Sequence, residues 1–197
     1  MRQEERVVNI YLEANPNPNS LKFVLNFMLM PEGETMDFAE AAATEHVAPL
    51  AEALFAQFPF VRRVFYMSNF ITITKSEDKE WIEVQSDLSR FIKEYLEAGK
   101  PAFVAQAVAE VKAAEASGEE TDVDRKIKDI LDEYIKPAVE QDGGAITYHS
   151  FQDGVVKVLL QGSCSGCPSS TITLKAGIEN LLKRMVPEVE TVEAEGV

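Results

Sequence analysis

Along this chain the spacing of apolar residues switches repeatedly between two and three-to-four, and one polar break, Ser117-Gly118-Glu119-Glu120, divides it into two mixed halves. Residues 7–13 alternate as a strand does. Asn15-Pro16-Asn17-Pro18-Asn19 reads as a turn, and residues 21–30 are rich in strand formers, so the N-terminal end predicts a hairpin. Residues 37–58 carry a helical period through Val47, Leu50, Leu54 and Phe58. Residues 61–67 and 70–74 are β-branched and aromatic runs joined through Ser68-Asn69, and residues 81–96 return to helical spacing. The first half therefore predicts ββαββα.

Beyond the break, Asp122 opens an amphipathic helix with Val123, Ile127, Ile130, Leu131, Tyr134 and Ile135 on one face, stopped by Asp142-Gly143-Gly144. Residues 145–151 and 155–160 flank Asp153-Gly154, the dipeptide most diagnostic of a tight hairpin. A helix follows with Leu174, Ile178, Leu181, Leu182 and Met185 inward, and a last strand is expected near residues 189–192. The second half predicts αββαβ. The expected class is α+β in two small domains, at 1–100 and 121–197, with a connector at 101–120.

With 197 residues and 46% hydrophobic content, each half can bury its own core. A net charge of -14, with no basic patch, excludes a nucleic-acid partner. The longest apolar run, residues 21–31, is far short of the roughly 20 residues that span a bilayer, and it contains Lys22 and Asn26. No membrane role is expected. The mixed-charge start, Met1-Arg2-Gln3-Glu4-Glu5-Arg6, fits neither a secretory nor a transit signal, so cytoplasmic residence is expected.

The chain has two cysteines, too few for a disulfide framework, and both lie in Gly162-Ser163-Cys164-Ser165-Gly166-Cys167-Pro168 between a strand and a helix. Glycines there open conformations closed to other residues, Pro168 suits a first helical turn, and the positive end of the helix favours thiolate over thiol. A Gly/Ser/Pro loop is an unusual place for inert core cysteines, so both are expected to act, and neither is expected to support a core. Three chemistries fit. A dithiol-disulfide oxidoreductase needs one chain, whereas a structural zinc site or a four-iron cluster takes four protein ligands. Two chains together supply four thiolates, and ligand softness alone leaves zinc and iron-sulfur chemistry both open. His46, expected within a helix, and His149, in a strand, are expected to be structural or surface residues. No Ser/His/Asp set, phosphate-binding glycine loop or carboxylate pair stands out, so ordinary hydrolase and kinase activity is not expected.

The stretch Asp142-Gly143-Gly144, followed by Leu160-Gln161-Gly162-Ser163-Cys164-Ser165-Gly166-Cys167-Pro168-Ser169-Ser170-Thr171-Ile172-Thr173-Leu174, resembles the NifU C-terminal domain of Nfu-type iron-sulfur scaffold and carrier proteins. The first half resembles the Nfu N-terminal domain through Asn15-Pro16-Asn17-Pro18-Asn19-Ser20-Leu21-Lys22-Phe23, Val64-Phe65-Tyr66 and Asn69-Phe70-Ile71-Thr72-Ile73-Thr74. The resemblance implies that Cys164 and Cys167 of two subunits ligate a labile 4Fe-4S cluster within a homodimer. It implies transfer of that cluster to apo iron-sulfur proteins, contact with cluster-assembly proteins, and partner recognition by the N-terminal domain.

Overall fold

The structure is a computed structural model that describes residues 7–105, 121–165 and 168–196. The chain divides into two compact units, one of residues 1–14 and 19–116 and one of residues 15–18 and 117–197. The α+β class is borne out, with one strand more in the first unit than its sequence predicts.

In the first unit, β1 (Ile10–Ala14) and β2 (Ser20–Leu25) form the expected hairpin, followed by β3 (Thr35–Phe38), α1 (Pro49–Gln57), β4 (Val61–Met67), β5 (Phe70–Lys75) and α2 (Trp81–Glu97). The sheet order is β1-β2-β5-β4-β3, antiparallel throughout. Leu21, Phe23, Val64, Tyr66, Ile71 and Ile73 line one face and pack with Leu50 and Leu54 of α1 and Leu88 and Ile92 of α2. On the other face Phe65, Phe70 and Thr72 are buried too, which is why β4 and β5 read as continuous apolar runs rather than alternating ones. That face also holds a part-buried ion pair, Arg63 Nη1 to Asp37 Oδ2 at 2.7 Å.

The helix expected over residues 37–58 begins at Pro49 instead. Asp37 and Phe38 belong to β3, paired to β4 with Phe38 opposite Val64. His46 adopts a left-handed φ of 63°, which no helix tolerates, and Ala48, preceding proline, is pushed out of the helical region.

The second unit starts with α3 (Asp122–Ile130), capped by Thr121, whose side-chain oxygen accepts from the Asp124 amide at 3.2 Å while Asp124 accepts from the Thr121 amide. A π-helical turn (Leu131–Ile135) leads into α4 (Lys136–Gln141). Pro137 cannot donate to the preceding turn, and the helix widens just upstream of it. The widening carries Tyr134 to the surface at 50% exposure, against the buried position its spacing predicts.

Gly143, with φ 79°, ends α4 in the left-handed conformation of a helix stop. β6 (Gly144–Gln152) and β7 (Val155–Gly162) form the predicted hairpin, with Asp153 (φ 49°) and Gly154 (φ 79°) both left-handed as a type I′ turn requires. α5 (Pro168–Met185) crosses back to β8 (Thr191–Gly196), which joins β7 in parallel and begins two residues later than the sequence suggests. Ile127, Ile130, Val139, Ile146, Val156, Val158, Ile178 and Leu182 form the core of this unit. Among the described residues no helix is long and apolar enough to cross a membrane.

Candidate iron-sulfur site

β7 ends at Gly162, whose φ of 65° turns the chain into the cysteine loop, and Pro168 opens α5 on the far side. Cys164 sits where the strand has ended and the helix has not begun, so its position is set by loop ties rather than by a ladder. The Ser163 amide donates to the Gly143 carbonyl at 3.3 Å, and the Ser163 hydroxyl donates to the Asp142 carbonyl. The Ser165 amide closes a turn onto the Gly162 carbonyl at 3.2 Å.

Cys164 is only 7% exposed and packs in the same core as Val139, Ile146 and Leu160. This corrects the expectation that neither cysteine supports a core. The loop residues beside it fold back over the sheet, so a position that is loop by sequence is interior by packing. Ser163 and Ser165 are buried with it. Cys167 lies outside the described residues. The structure thus places one of the two expected ligands, Cys164, at the strand-to-helix junction.

Both histidines are remote from ligand chemistry. His46 is an exposed left-handed residue in the first unit, with Glu45 at 3.7 Å, rather than part of a helix. His149 is exposed beside a register shift in β6, with Nδ1 3.2 Å from Ser150 Oγ. Glu179 is a site that sequence reasoning missed. On α5 it ties helix to strand, accepting from the Val192 amide at 3.1 Å and the Thr191 hydroxyl at 3.0 Å, with Lys183 Nζ at 2.7 Å. Lys183 first, then those two donors, pull its carboxyl down to about 2. The only sequence hint was the i,i+4 spacing of Glu179 and Lys183.

A β-hairpin, a cysteine loop, a crossover helix and a parallel third strand define a NifU-like module, and residues 127–193 match the family model of the NifU-like domain. Residues 10–99 match the model described as scaffold protein Nfu/NifU N terminal. The NFU1 iron-sulfur cluster scaffold homolog of Homo sapiens is 43% identical over 190 residues, covering 95% of this chain and 72% of that one. Its counterpart in Drosophila persimilis is 39% identical over 189 residues, covering 96% and 66%. This chain belongs to the NFU1 iron-sulfur cluster scaffold family. It spans 60% to 72% of the length of the curated relatives it matches. A solved NifU-like protein from Saccharomyces cerevisiae is also similar, at 23% identity and a TM-score of 0.46, covering 53% of this chain and 92% of that one.

These relatives are named mitochondrial, which overturns the expectation of cytoplasmic residence. That expectation rested on the charge pattern of six N-terminal residues, a weaker signal than resemblance along nearly the whole chain.

Proposed function

We propose that this chain is an iron-sulfur cluster scaffold and carrier, without catalytic activity of its own, that holds a 4Fe-4S cluster through Cys164 and Cys167 of two copies and passes it to apo-proteins. One observation carries the reading: the chain supplies two cysteines, three positions apart in one loop, while a 4Fe-4S cluster takes four thiolates. Two copies complete the set. The family to which the chain belongs, named for its scaffold role, supports iron-sulfur chemistry over zinc.

A cluster shared in this way is held by two loops instead of one enclosing fold. Cysteines of an acceptor can then replace the scaffold thiolates one at a time, with the thiolate as the exchanging species. Recipients are apo iron-sulfur proteins, cluster-assembly proteins act as suppliers, and the first unit, which contains no cysteine, serves in partner recognition.

The test uses three chains reconstituted anaerobically with iron and sulfide: the parent, Cys164→Ser and Cys167→Ser. Either substitution is expected to abolish the visible charge-transfer absorption that the parent shows. Full absorption in both variants would refute the ligand assignment. Disulfide turnover by the metal-free monomer would instead favour a dithiol oxidoreductase, and zinc without acid-labile sulfide a structural zinc site.

A further inference from the structure

Three glycines lie at the end of the second sheet from which the cysteine loop departs. Gly144, the first residue of β6, lies opposite Gly162, the last of β7, and Gly196, the last of β8, lies beside Leu160 of β7. The loop Ser163-Cys164-Ser165 folds into the space that side chains there would fill. A Cβ on Gly144 would stand 2.9 Å from Cys164 Sγ, 3.3 Å from the Cys164 amide nitrogen and 2.6 Å from the Gln161 carbonyl oxygen. A Cβ on Gly196 would stand 2.7 Å from Ser165 Oγ. The two cases differ in consequence. Ser165 Oγ ends a short side chain that can rotate away, whereas the neighbours of Gly144 are a fixed carbonyl and the sulfur itself.

Resting on the proposed scaffold function, we infer that Asp142-Gly143-Gly144 is the seat of Cys164: Gly144 is a positioning residue whose missing side chain makes room for the ligand sulfur. Helix termination explains Gly143, which has the left-handed φ, but it does not explain Gly144, which has no positive φ. The close approach of the Gln161 carbonyl oxygen, 2.6 Å from where a Cβ would stand, and of the Cys164 sulfur, at 2.9 Å, does. The hydroxyl and amide of Ser163, bonded to the carbonyls of Asp142 and Gly143, hold the loop down on the same corner. Four successive groups of the loop and the corner thereby fix Cys164 before any metal arrives. A ligand already in place costs less ordering on binding than one that must be found.

The test reads the seat with and without a cluster. In a Cys167→Ser background, which leaves Cys164 as the one thiol, the alkylation rate of metal-free protein by iodoacetamide is compared with that of the same chain in urea. The parent is expected to react about tenfold slower folded than unfolded, the protection given by modest local opening. Gly144→Ala is expected to erase most of that protection, and Ser163→Ala, which adds no bulk, to remove a smaller part. In chains with both cysteines, Gly144→Ala is expected to retain fewer irons per chain after reconstitution and gel filtration.

Equal folded and unfolded rates in the parent would overturn the seat, as would unchanged protection in both variants. Faster alkylation of Gly144→Ala with parental iron retention would overturn the link to cluster binding. Should Gly144→Ala lose its cooperative melt, Ser163→Ala decides alone by the same criteria. A parent that binds no iron but protects Cys164 would refute the scaffold function and leave the seat standing.

Discussion

Cys164 faces two demands at once, as a proposed ligand and as part of the core of the second unit. Its 7% exposure makes the choice of substitution matter for stability as well as for binding. Cys164→Ser replaces the apolar sulfur among Val139, Ile146 and Leu160, beside Ser163 Oγ, with a more strongly hydrated hydroxyl, whose burial costs about 1 kcal/mol. The second unit of that variant is expected to unfold at lower urea concentration than the parent, which tryptophan-independent far-UV dichroism can follow, since Trp81 belongs to the first unit. An unchanged urea midpoint would mean that the sulfur adds nothing to the core. In the first unit, Arg63→Met would remove the ion-pair partner of the Asp37 carboxylate, whose side chain is 2% exposed, and losing a hydrogen bond to a charged group costs about 1.5–3 kcal/mol. Thermal melting is expected to show that loss in the first unit, with Asp37→Asn restoring part of it in the double variant. The candidate ligands were nominated from the sequence, because two cysteines in one Gly/Ser/Pro loop leave few alternatives. The depth of Cys164 was not legible, since burial of a loop depends on which strand ends lie beneath it.

At the scale of elements, the joint between α5 and β8 depends on Glu179, and its acid sensitivity has a definite sign. The carboxyl is depressed to about 2 in the fold from a usual value of 4.5, so its contribution is present above about pH 4.5 and is lost as pH falls toward 2. Glu179→Gln is expected to flatten the stability profile within that window while leaving it parallel to the parent above pH 5. Urea midpoints measured at several pH values check this, and parallel profiles throughout would disprove the role. Elements with a local signal were readable in advance: the Asp153-Gly154 hairpin, the helix stop at Gly143, and strands β4 and β5. β3 and the start of α1 were not. Met36 and Phe38 face the core, but four residues of alternation are too short to outweigh the helical spacing that follows. The left-handed His46 that interrupts that spacing follows from tertiary context, not from an intrinsic preference. The π turn at Leu131–Ile135 was in principle foreseeable from Pro137, since a proline that far into a helix forces the backbone to adjust.

For the whole molecule the central quantity is a count. Each copy has two cysteines and the proposed cargo takes four, so the proposed function requires the cluster and the dimer to form together. At a net charge of -14 per chain, two copies repel one another at long range, a cost that salt screens. Metal-free chains are accordingly expected to associate less than loaded ones, most clearly at low ionic strength. The measurement that tests this most directly is anaerobic reconstitution with iron and sulfide, followed by iron, sulfide and native-mass determination on the same sample. The account predicts about four irons and four sulfides in a species of twice the chain mass, reverting to single chains when the cluster is removed. A complete four-iron cluster on a single chain, or a loaded dimer that survives intact after its iron is stripped, would contradict it.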